Sequence, residues 1–150
     1  MNVESYLKSC GVPFDMLPHR SEYTASRTAQ ALHVPGHIFA KTVVVQADDH
    51  PVMAVLPSTR WLNMDRLQQA LGCRRVTLSP ESEFQSLFPD CELGALPPFG
   101  SQYHMETIVD DGLAADEYIV FDGNTHDRAV SMRFSDYANI EHPRVMHIAS

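Results

Sequence analysis

Residues 41–47 read KTVVVQA and residues 51–56 read PVMAVL, with Asp48-Asp49-His50 between them. The first run is β-branched and apolar, a composition that suits a pleated, half-buried surface. The polar residues between the runs make a turn, so the two runs predict a β-hairpin. Outward from this hairpin the chain alternates in type. Upstream, Val3, Tyr6, Leu7 and Cys10 recur at helical spacing until Gly11 and Pro13 stop them. Phe14–Leu17 predicts a short strand. Thr24 or Ser26 caps a second helix with Ala25, Ala29 and Leu32 on one face, ended by Pro35-Gly36.

Downstream, Asn63 caps a helix carrying Met64, Leu67, Ala70 and Leu71, and Gly72 suits its left-handed end. Ser79-Pro80-Glu81 combines a capping hydroxyl, a first-position proline and a first-turn acid. The helix it starts presents Phe84, Leu87 and Phe88 to the core and stops at Pro89. Cys91–Gly100 (CELGALPPFG) is a loop. Strands follow around Thr107–Val109, Tyr118–Phe121 and Ala129–Arg133, with a turn at Asp122-Gly123-Asn124-Thr125. Ser135-Asp136 caps a last helix through Ile140. Interleaved helices and strands with short connections predict a single α+β domain over residues 1–150. Its mixed, mostly antiparallel sheet is expected to be surrounded by helices.

With 44% hydrophobic and 20% charged residues the chain has the make-up of a globular domain. Its formal net charge of −8 argues against a general nucleic-acid coat, which needs a basic surface. The charge is uneven: residues 1–75 carry eight basic and six acidic side chains, the rest three against thirteen. A polyanion would meet the N-terminal half. No apolar run approaches 18 residues and no leader-like segment opens the sequence, so a cytoplasmic protein without a membrane span is expected. Cys10, Cys73 and Cys91 form no spacing motif and are read as free thiols.

Phosphate-loop, dinucleotide, zincin and nucleophile-elbow signatures are all missing. Of eight histidines only His33 and His37 stand four apart, and Pro35-Gly36 separates them, so neither a metal nor another cofactor is expected. Three features could carry chemistry. Lys41 opens the most apolar strand: it either blunts a sheet edge or is a cation held rigidly at a pocket mouth, for a phosphate or an oxyanion. The Gly94–Pro98 loop is a surface connection or a stiff backbone grip on a carbonyl group. His126 is a solvated turn residue or a group that orients substrate.

Lys41-Thr42 at the head of the Val43–Val45 strand, followed about fifty residues on by Gly94-Ala95-Leu96-Pro97-Pro98, resembles the YbaK and prolyl-tRNA synthetase editing-domain family. The resemblance runs over nearly the whole chain. It implies a free-standing aminoacyl-tRNA deacylase that hydrolyses the ester of a misacylated tRNA, with cysteine or alanine on the tRNA for proline as the expected cargo. Lys41 would then be the catalytic lysine at the terminal nucleotide. Thr42, the loop Gly94, Ala95, Leu96, Pro97 and Pro98, and His126 would bind the aminoacyl moiety. Thr42 in place of the asparagine of alanine-directed members resembles the cysteine-directed branch. Arg20, Arg27, Arg60 and Arg74 are candidates for a small tRNA-binding rim. The partners implied are the tRNA acceptor end and a synthetase, with no DNA and no membrane. Two other readings stay open on the residues alone: a non-catalytic module that holds a small ligand or a synthetase, and a histidine-based metal hydrolase.

Overall fold

A computed structural model describes residues 2–19, 24–78 and 85–150. The predicted hairpin is its centre. Strands β2 (Ala40–Ala47) and β3 (His50–Pro57) pair antiparallel from Ala40 opposite Pro57 to Ala47 opposite His50. The turn is two residues long and Asp48 takes a positive φ of 53° there, a conformation Asp tolerates well.

Around the hairpin stand α1 (Val3–Cys10), β1 (Asp15–Pro18), α2 (Ala25–Leu32), α3 (Met64–Leu71) and β4 (Val76–Leu78). Then come β5 (Glu106–Asp110), α4 (Asp111–Ala114), β6 (Tyr118–Asp122), β7 (Arg128–Arg133), α5 (Phe134–Glu141) and β8 (Arg144–Met146). The expected caps at Thr24 and Asn63 are in place, and Asn2 caps α1 as well. Asn2, Thr24 and Asn63 each accept an N–H from three residues on, and Gly11 and Gly72 close α1 and α3 in the left-handed conformation.

The strands form two sheets rather than the single one expected. One is three-stranded and antiparallel, β1-β7-β6; the other is mixed, in the order β4-β2-β3-β5-β8, with β3, β5 and β8 parallel. A parallel bridge, Phe39 to Val120, joins them. Beyond it the sheets diverge, Lys41 pairing with Leu56 and Asp122 with Ala129.

Side chains alternate along β2 and so serve two cores. Ala40 and Val44, with Met53 and Val55, pack against Leu7 of α1, Phe121 and Val130 of the smaller sheet, and Tyr137 of α5. Val45, Val52 and Ala54 on the opposite face pack against Leu67 of α3 and Ile148.

Two further expectations change. α5 begins at Phe134, not after a Ser135-Asp136 cap, because the Phe134 N–H donates to the Glu117 carbonyl instead. Leu87 is exposed, whereas Phe88 is buried against Tyr103. The helix start at Ser79-Pro80-Glu81 and Phe84 lie outside the described residues. Among those described, no helix is long and apolar enough to cross a membrane.

Candidate functional site

Lys41 sits second in β2, where its backbone is locked into the hairpin ladder. Its side chain is half-buried and enters a cleft of about 480 Å³. Thr24, Ala25 and Ser26 at the head of α2 line one wall, and the Ser58–Trp61 turn after β3 lines the other. The Lys41 ammonium stands 5.0 Å from the centre of the Trp61 ring. Burial holds the Lys41 pKa below the ordinary lysine value, so this cation has already given up part of its hydration. The turn is fixed from below: Ser58 N–H donates to the Phe39 carbonyl and the Ser58 hydroxyl to the Gly36 carbonyl, both at 2.8 Å.

Thr42 projects to the face opposite Lys41. Its hydroxyl is shielded from solvent and has no hydrogen-bond partner among the described residues, the kind of orphaned polar atom that asks for an explanation. One edge of β2 is also without a described strand partner here. β4 pairs only with Val45–Ala47 and the bridge to β6 is made at Phe39, so residues 41–43 have no strand partner on that edge among the described residues.

The Gly94–Pro98 loop is not the surface connection its composition allows. Ala95, Leu96, Pro97 and Pro98 are buried, and Leu96 joins the same core as Ala40 and Val44. The Pro98 carbonyl accepts from the buried Tyr137 hydroxyl at 2.7 Å, and Tyr137 is kept protonated by that burial. Gly94 has a φ of +83°, and a Cβ built there would lie 3.2 Å from His126 Cε1. Glycine is favoured here on both counts.

His126 is 5% exposed, so it is no solvated turn residue. Its backbone N–H donates to the Glu92 carboxylate at 2.8 Å, and its Nε2–H donates to the Leu93 carbonyl. This fixes the ring as a brace beneath Gly94. Asn124 completes the clamp. Its backbone carbonyl accepts from Glu92 N–H, its side-chain oxygen from Val3 N–H, and its amide donates to Cys91 Sγ. The Cys91 thiol is pushed up to about 11, chiefly by burial. All three cysteines are free.

The proposed rim arginines separate. Arg60 lines the Lys41 cleft, and exposed Arg27 follows its wall residue Ser26 on α2. Arg74 binds Asp48 through its backbone N–H at the hairpin turn. That is the far end of β2, about 20 Å from Lys41 at 3.3 Å per residue. Arg20 lies outside the described residues. Trp61 and the Ser58-Thr59 turn were not among the sequence candidates. A lone tryptophan after a strand-ending Pro57-Ser58-Thr59-Arg60 was the available signal.

The family model of the aminoacyl-tRNA editing domain matches residues 19–140. No curated protein matches the sequence. Among solved structures, hypothetical protein APE2540 superposes with a TM-score of 0.89 at 19% identity, covering 99% of both chains. Another, described as a "putative trans-editing enzyme for prolyl tRNA synthetase", superposes with a TM-score of 0.87 at 15% identity, covering 99% of this chain and 94% of that one.

Proposed function

The chain belongs to the aminoacyl-tRNA editing domain family, and from that premise we propose that it is a free-standing deacylase clearing a small amino acid from a misacylated tRNA. The observation that carries the reading is Lys41: a partly dehydrated cation on a rigid strand, in an open cleft beside an arginine and an exposed tryptophan. That is the chemistry an RNA end requires. Lys41 holds the terminal phosphate or ribose. The aminoacyl group reaches toward the neighbouring Thr42, whose hydroxyl has no hydrogen-bond partner among the described residues. The braced Gly94–Pro98 loop closes around the side chain and limits its size.

The reaction asks little of the protein, because an aminoacyl ester is already activated. A water, or the thiol of a cysteinyl substrate, attacks the carbonyl carbon. The bond to the ribose oxygen breaks, and that oxygen leaves with a proton. Positioning and a nearby cation supply the acceleration, which accounts for the lack of a nucleophile–base pair. Discrimination by the loop is of the modest kind an apolar pocket gives, about 1–3 kcal/mol per methylene. Cysteine and alanine on the tRNA for proline are the cargo we favour.

The test is a panel of Cys-, Ala- and Ser-charged tRNAs with wild type and Lys41→Ala. Wild type is expected to deacylate at least one and the variant to lose that activity. Equal rates for both on every substrate would remove Lys41 from the mechanism.

A further inference from the structure

Trp61 is 78% exposed, a large aromatic surface for a cleft wall. Such a ring would be mobile if its backbone were free, but it is not. Trp61 N–H donates to the Ser150 carbonyl, Ser150 N–H donates back at 2.9 Å, and Leu62 pairs with Ala149 across an antiparallel bridge. The 148–150 segment is itself anchored. The buried Asp110 carboxylate accepts from the N–H groups of Ile148 and Ala149 at 3.0 and 2.9 Å, and Arg66 donates to the Ala149 carbonyl at 2.6 Å. These contacts thus fix the backbone of a residue whose side chain buries little of itself. One side of the ring carries the Lys41 ammonium, which supplies a cation–π contact. The rest is open. Two cations and no carboxylate stand among the described residues of this cleft.

We propose that Trp61 is a stacking platform for an unpaired nucleobase at an RNA 3′ end, with Lys41 and Arg60 taking the phosphates beside it. The inference rests on the deacylase reading and deepens it by assigning how the acceptor end is held. Base–aromatic stacking tolerates any base, since each has a π-face, and it requires a single strand. The site therefore recognises the unpaired end rather than the identity of the tRNA. Trp61 is a positioning residue here, not a catalytic one, because it touches the base and not the ester.

The chain has one tryptophan, so its emission reports on this site alone. The intact protein is titrated with the trinucleotide CCA, with adenosine monophosphate and with inorganic phosphate. Saturable quenching by CCA, weaker quenching by the mononucleotide and none by phosphate is expected. In deacylation, Trp61→Ala is expected to raise KM by about 10- to 100-fold with little change in kcat, and Trp61→Phe to restore KM to within a few fold of wild type. An unchanged KM in Trp61→Ala, while Lys41→Ala abolishes activity, would overturn the stacking role and leave the deacylase reading standing. Quenching by CCA with no deacylation of any charged tRNA would uphold the stacking site and sink the deacylase reading. Equal affinity for CCA and the mononucleotide would overturn the RNA end as occupant.

Discussion

The Lys41 cleft and the Gly94–Pro98 loop are built in opposite ways. The cleft is open, its groups are side chains, and its lysine and arginine project from a rigid strand and a short turn. The loop is closed. Four of its five residues are buried, and it is clamped from His126, Asn124 and Tyr137. An open cationic wall suits a partner that arrives as a flexible polyanion and must leave again. A clamped, buried backbone suits the sorting of side chains by size. Substitutions in the cleft should therefore change function and spare stability, and substitutions in the loop should change both.

The largest expected effect is Lys41→Ala. Removing one preorganised cation from a reacting centre costs about 10²–10³ in kcat, while the melting temperature should stay within a degree or two. A collapse in stability would erase the contrast between the two regions. Next is Gly94→Ala. Forcing a Cβ into the left-handed region costs about 1–2 kcal/mol, here against the His126 ring as well. Thermal unfolding should show a Tm lower by roughly 3–6 °C, together with altered preference among charged tRNAs. An unshifted Tm would mean that the loop gives way freely.

A smaller effect lies in the pH profile. Burial lowers the Lys41 pKa, so its charge is lost at a pH below 10.5 and kcat/KM should fall on the alkaline side earlier than a free lysine would dictate. Lys41→Arg should move that limb upward, and a limb that stays put would belong to another group. The sign for stability is opposite. The dehydrated charge is a cost while Lys41 is protonated in both states, and the cost fades as pH climbs through the folded pKa toward 10.5. Smallest is the salt dependence of tRNA binding. Arg60→Ala should flatten the log–log slope by about 0.7, one phosphate on a single strand. Arg74→Ala, at the far end of β2, should leave it unchanged, and equal slopes for the two variants would extend the interface well beyond the cleft.

What could be read from the sequence was local. The hairpin, the Asn63-to-Gly72 helix and the left-handed glycine ends are set by residues within a few positions of one another, and they stand where their patterns put them. β4, β8 and α4, only three or four residues each, were not legible, because neighbouring strands and a buried aspartate hold them. The same limit applies to the candidate site. Lys41 and the Gly-x-x-x-Pro loop are visible as types at a spacing. Trp61 becomes a fixed feature only through residues 148–150, nearly ninety positions on, and His126 becomes a brace only because the 91–98 loop returns to it. Arg74 grouped with the rim by charge alone, and charge along a chain carries no position.

Cys91 stands at the head of a loop that, on the proposed mechanism, receives an activated ester. A thiolate there would be acylated by the substrate and would trap the protein as its own thioester. With the thiol pushed up to about 11, only about one molecule in ten thousand carries the thiolate at pH 7. On that mechanism the burial that packs the loop also keeps this thiol inert toward the ester. A cysteinyl substrate's own thiol, not so buried, is left as the competent sulfur in the reaction.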